Sequence, residues 1–109
     1  MPIFDNFASL DIRVGRIVSA EDHTLARKPM YRLSVYLGPE LGERTIVAGI
    51  KERYTKEELV GKKIVCVANL EPKTIAGVES HGMLLAAEGD DSLCLLVPDR
   101  EMPEGSRIR

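Results

Sequence analysis

The chain has 109 residues, 44% hydrophobic and 29% charged, which fits one compact domain and leaves no room for a second. Its 15 Lys and Arg against 17 Asp and Glu give a formal charge of −2, a balance that excludes a generic polycation. That total conceals a gradient, because residues 1–63 carry 11 basic and 9 acidic side chains whereas residues 64–109 carry 4 and 8, and anion affinity follows local clustering more than the sum.

At the N-terminus, Phe4, Phe7 and Leu10 recur every three residues and predict one short helical turn with an apolar face that needs cover. Residues 11–20 read as a first strand. Its period-2 face joins Ile12, Val14, Val18 and Ala20 but also the misfit Arg16, and Gly15 beside it predicts a bulge or bend that turns Ile17 inward. The second strand, residues 31–37, alternates cleanly, with Tyr31, Leu33, Val35 and Leu37 inward and Arg32, Ser34 and Tyr36 outward. A Gly- and Pro-containing turn at 38–43 leads to a third strand at 44–48 and so to a hairpin.

Thr55 and Glu58, three apart, predict reciprocal capping of a short helix that Gly61 can end. Residues 63–68 are then a fourth strand, 69–79 a loop, 83–87 a fifth strand, and 92–97 a sixth, reached through the tight turn at 88–91. Residues 98–109 form a tail with little periodicity. Three strands, one helix and further strands, opening on a bent Gly-containing strand, fit an all-β OB-fold among the small barrels: five strands in Greek-key order, a helix between strands three and four, and terminal extensions at 1–10 and 92–109.

Little here supports catalysis. His23 and His81 belong to no spacing that builds a metal site. Ser80 and His81 are neighbours on an extended chain, so their side chains diverge and do not form a nucleophile–base pair. Phosphate-cradling glycine motifs are absent, no cofactor is implied, and Asp90 and Asp91 lack the remaining ligands of a calcium loop. Cys66 and Cys94 sit in apolar runs and are expected to be inert core thiols. No leader-like segment and no run of about 18 apolar residues appears, so a soluble cytoplasmic protein is expected.

In an OB barrel, ligands meet the outer face of strands two and three and the loops joining strands one to two and four to five. Those positions hold Arg27 and Lys28 in the first loop, Arg32 and Tyr36 on strand two, Arg44 opening strand three, Lys51 and Arg53 just beyond it, and Asn69 and Lys73 in the second loop. With few aromatic rings available for base stacking, this pattern favours recognition of folded RNA by shape and backbone.

The segments Asn69-Leu70-Glu71-Pro72-Lys73 and Ser80-His81-Gly82-Met83-Leu84-Leu85-Ala86-Ala87 resemble the tRNA-binding domain that occurs as a free-standing dimer and appended to methionyl-tRNA synthetases. Val47-Ala48-Gly49-Ile50, residues 54–61 and Val97-Pro98-Asp99 match as well. The resemblance implies binding of tRNA by overall shape, with Asn69, Lys73, Ser80, His81 and Met83 as contacts and an aminoacyl-tRNA synthetase as a possible associate. The first-loop segment, His23-Thr24-Leu25-Ala26-Arg27-Lys28-Pro29-Met30-Tyr31, departs from that family's pattern and is more similar to CsaA, a sister group assigned a chaperone role toward unfolded polypeptides. Phe4, Phe7, Leu95, Val97, Met102 and Ile108 lie outside the expected barrel strands, and a homodimer joined through 1–10 and 92–109 would cover them.

Overall fold

In the computed structural model, which describes all 109 residues, the main wall is built from β1 (Ile12–Asp22), β2 (Tyr31–Tyr36), β3 (Glu43–Ala48), β4 (Lys63–Val67) and β7 (Met83–Leu84). They run in the order β3-β2-β1-β4-β7 with every neighbour antiparallel. Three meandering strands followed by one that returns beside the first is the Greek-key order. Two short helices, α1 (Phe4–Ala8) and α2 (Lys56–Leu59), and two separate hairpins, β5 (Lys73–Ile75) with β6 (Val78–Ser80) and β8 (Ala86–Glu88) with β9 (Leu93–Leu95), complete the chain. The architecture is the expected OB-like barrel, nearly closed and almost devoid of helix.

The alternation of β2 places Tyr31, Leu33, Val35 and, just past its end, Leu37 in the core beside Ile17, Ile46, Ile64 and Cys66. In β1 the pairing slips between Ile17 and Ser19, so Val18 is the extra residue of a bulge. The bulge thus lies three positions beyond Gly15. Gly15 answers a different need: a Cβ there would meet Leu37 Cδ2 and Val35 Cγ1 at 2.8 Å, so the core packs directly on its backbone. Ile17 turns inward as expected. Ile12 instead packs with Val65, Val67 and Leu85 in a second, smaller cluster, and Arg13, opposite Cys66 in register, is buried.

Closure is achieved without a full strand pair. His81 donates its backbone N–H to Thr45 O at 2.8 Å, and the Val47 N–H donates to Ser80 Oγ at 2.9 Å. A serine hydroxyl therefore replaces a ladder carbonyl between β3 and the segment entering β7. Gly82, with φ +125°, follows at once, and a Cβ there would press on Val67 O at 3.1 Å and Ile46 Cδ1 at 3.2 Å.

Thr55 Oγ1 accepts the Glu58 N–H at 3.2 Å and donates its own proton to Glu58 Oε2 at 3.0 Å, which caps α2, and Gly61 follows at φ +90°. The expected fifth strand is divided: at Leu85 the chain leaves β7, donating to Val65 O and accepting from Leu96 N, both at 3.0 Å. That detour draws Leu95 into the core, so it does not belong to the uncovered set. It also turns Cys94 outward; only Cys66 is a core thiol, and burial raises its pKa to about 11.

The tail is fastened along β1, with Ser106 O accepting from Val14 N at 2.9 Å and Gly105 N donating to Val14 O at 2.8 Å. Arg13 binds Asp11 at 2.6 Å, Glu40 at 2.9 Å and the Gly105 carbonyl at 3.2 Å. Glu104 receives Arg16 at 3.0 Å and Lys63 at 3.3 Å.

Candidate nucleic-acid interface

Residues 69–79, read from sequence as a loop, form together with Ser80 a tight hairpin, in which Lys73 pairs with Ser80, Thr74 with Glu79 and Ile75 with Val78. Its two turn residues, Ala76 and Gly77, both adopt positive φ, +47° and +86°, the requirement of a type I′ turn. The hairpin carries Lys73 exposed and with no carboxylate partner. Its tip is tied to the first loop: buried His23 lies with Nε2 2.7 Å from Ile75 O, and its backbone N–H closes that loop on Met30 O at 3.0 Å. His23, set aside in the sequence for want of a metal or catalytic partner, thus joins the two loops flanking the outer barrel face.

Register lays out a row of side chains across that face. Glu21 pairs with Arg32, Arg32 with Val47, Val47 bonds Ser80, and Ser80 pairs with Lys73. Beside the last two lies a groove of about 420 Å³ whose lining includes Val47, Leu70, Ile75 and Met83, with Glu71, Lys73 and Ser80 as its polar members. Met83 is half exposed there.

The remaining candidates divide by what already holds them. Asn69 staples the chain before β1, accepting the Asp11 N–H and donating to Ser9 O, both at 2.8 Å. Ser80 is buried beneath the groove. Arg44 shares the inward phase of Ile46, so its guanidinium points into the barrel end and not to the outer face, donating to Ala68 O at 2.7 Å and lying 3.4 Å from His81 Nε2. Of the cations on the ligand side, Arg32 is paired with Glu21 at 2.5 Å and Lys51 with Asp22 at 3.2 Å. The hydrogen bond from Lys51 holds the Asp22 carboxyl below its usual range. Arg53, like Lys73, is exposed and has no carboxylate partner. Ser80 and His81, bound to β3 and facing Arg44, form no nucleophile–base pair.

On another side, Phe4, Phe7, Leu10, Ile12 and Ile108 line an apolar groove between α1 and the tail. Phe4 and Phe7 are 77% and 41% exposed, and Val97, Met102 and Ile108 also remain open. No helix is long and apolar enough to cross a membrane.

Three comparisons bear on this geometry. The family model described as a putative tRNA-binding domain matches residues 12–107. Methionine–tRNA ligases of Pyrococcus horikoshii and Thermococcus kodakarensis are 50% and 51% identical over 106 residues, 97% of this chain, which spans 14% of each of those enzymes. Among solved structures, a CsaA chaperone protein from Picrophilus torridus superposes with a TM-score of 0.95 at 38% identity, each chain fully covered. A MetRS-related protein from Pyrococcus horikoshii gives 0.89 at 39% identity, covering 100% of this chain and 98% of that one.

Proposed function

This chain belongs to the putative tRNA-binding domain family, and from that premise we propose that it is a non-catalytic module that binds tRNA by shape and backbone through the face between the first loop and the β5–β6 hairpin. The observation that carries this reading is Lys73, an unpaired cation on a rigid two-strand support beside a groove, where a phosphate can be neutralised without breaking an internal ion pair. Arg53 and, in the first loop, Arg27 and Lys28 are further exposed cations without a carboxylate partner on the ligand side, while Arg32 and Lys51 can exchange exposed carboxylate partners for phosphate. Met83 offers an adaptable apolar contact. Asn69, Ser80 and His81 act mainly by holding the loop that bears the contacts.

The test compares folded tRNA with single-stranded RNA of equal length in a gel shift. The tRNA is expected to bind more tightly, and Lys73→Ala is expected to weaken all tRNAs alike and lower the log–log salt slope by about one. Equal binding of the two RNAs, or an unchanged slope, would remove the reading.

A second role, binding unfolded polypeptides, is favoured by the apolar lining of the groove and by the likeness to CsaA. It requires suppression of client aggregation that tRNA does not abolish. The relatives named as synthetases are far longer than this chain, so association with a separate synthetase subunit in the cytoplasm is the corresponding proposal, checked by co-purification. The open Phe4–Phe7–Ile108 groove supports a homodimer, which would set two RNA faces on one body and raise avidity. Sedimentation of Phe4→Glu against the parent chain tests it.

A further inference from the structure

The groove beside Lys73 has a chemistry that backbone recognition alone leaves unused. Its floor is aliphatic, from Val47 and Ile75, and its walls are the exposed Leu70 and the half-exposed thioether of Met83. Phosphate has no place on such a surface, since an anion set against apolar atoms loses its hydration without compensation. Two polar groups join this lining. Ser80 Oγ accepts the Val47 N–H at 2.9 Å, and its own proton makes no hydrogen bond within the protein. Glu71 adds a carboxylate acceptor. A hydroxyl donor and an acceptor in an apolar groove, with a cation at the rim, match a flat ring that presents donor and acceptor along one edge and hangs from an anionic backbone.

We infer that this groove is a seat for one unpaired nucleobase, splayed out of an RNA loop or end, while Lys73 holds the phosphate beside it. The inference rests on the tRNA reading and extends it from shape to insertion of a base. Its occupant is chosen by charge and size. The row from Arg32 through Val47 and Ser80 to Lys73 spans three inter-strand steps, on the order of 15 Å at about 4.8 Å each, which places a cation on either side of the seat along the path of a short single-stranded segment. No aromatic ring lines the groove, so the base is held by aliphatic and sulfur contact and not by stacking. The hairpin cannot swing freely away from the seat, because His23 grips Ile75 O at its tip.

The probe is a tRNA transcript carrying 2-aminopurine in turn at the unpaired positions of each loop and at the 3′ end, titrated with the intact protein. One position is expected to change its emission at least twofold on binding. With Met83→Ala or Leu70→Ala that change should vanish even at saturating protein, while affinity falls about five- to tenfold from lost apolar and sulfur contact and the salt slope stays unchanged, in contrast to Lys73→Ala. If the tRNA binds in a gel shift but no position responds, or both wall variants keep the response, the base seat is wrong and the tRNA reading stands. If no tRNA binds at any salt concentration, both fall. If an unfolded polypeptide displaces the tRNA and the wall variants lose the polypeptide instead, the groove is a peptide site and the seat is overturned.

Discussion

Where the tail meets β1, Arg13, Arg16 and Lys63 are each held by carboxylates, Asp11 and Glu40, Glu104, and Glu101 with Glu104 respectively, whereas Lys73 on the β5–β6 hairpin has no such partner. Both regions carry cations, yet one employs its charge to fasten the chain terminus and the other leaves it open. The basic excess of residues 1–63 is therefore a poor guide to the ligand surface, because much of it is neutralised by acids near the N-terminus and in the tail. Lys73, from the acidic half of the sequence, is the cation left free beside the apolar groove.

The sharpest way to break this contrast is to remove one cation from each side. Arg13→Ala takes a side chain only 7% exposed from between Asp11, Glu40 and the Gly105 carbonyl, and leaves Asp11 without the Arg13 hydrogen bond that lowers its pKa. Stability should fall by about 2–4 kcal/mol, measured by urea denaturation. Lys73→Ala should shift stability by no more than about 0.5 kcal/mol, as exposed substitutions do, while weakening RNA binding. Equal destabilisation by the two would dissolve the distinction.

Ser80→Ala tests the boundary between the regions. It removes the acceptor for Val47 N–H at the barrel seam and leaves a buried donor unsatisfied, so a loss of about 1–3 kcal/mol is expected. Hydrogen exchange at Val47 should rise with it. Unchanged stability with lost RNA binding would instead make the hydroxyl a direct ligand group only.

The barrel was legible wherever one physical signal dominated. The alternation from Tyr31 to Leu37, the Thr55 cap and the turn at 88–91 each predicted the observed element. Signals with two readings misled: Gly15 looked like a bulge because a strand glycine marks either a bulge or a close approach, and here the packing of Val35 and Leu37 on its backbone decides. Arg44 reads from sequence as an outer-face cation opening strand three, but its phase with Ile46 points it inward. The hairpin at 73–80 was missed because its turn carries Ala76 where Asn or Gly is usual. Lys73 follows from its place in the second ligand loop of an OB barrel and again from the resemblance, but that it is free while Arg32 and Lys51 are paired depends on which acids the fold brings near. His23 left no signal in the sequence, since a lone histidine gains meaning only once Ile75 O is folded against it.

On the tail side, Glu104 offers a pH handle. Hydrogen bonds from Arg16 first, then from its own backbone N–H and from Lys63, hold its pKa near 2 against an ordinary 4.5. A carboxyl whose pKa is depressed by folding contributes stability that is complete above about pH 4.5 and is lost as pH falls through 2. The difference in urea midpoint between the parent chain and Glu104→Gln should therefore shrink steadily over that window. Lys73-dependent RNA binding, measured near neutrality, should not register the substitution. A gap between parent and variant that persists at pH 2 would show that the clamp is not electrostatic.

The smallest expected effect lies at the hairpin tip and has the opposite sign. Ala76 holds φ at +47°, a left-handed conformation in which its Cβ crowds the following carbonyl at a cost of about 1–2 kcal/mol. Asparagine tolerates that region, and Asn-Gly is the favoured pair for a type I′ turn. Ala76→Asn should therefore stabilise the protein by about 0.5–1 kcal/mol, seen as a rise in Tm of roughly 2–8 °C for a domain of this size. Because Lys73 stands three residues back on the same hairpin, a firmer turn would also present it with less disorder, so RNA affinity should hold or improve. Greater stability with weaker binding would mean that the hairpin has to open to receive its ligand, and that the support on which Lys73 stands is set by the RNA and not by the fold.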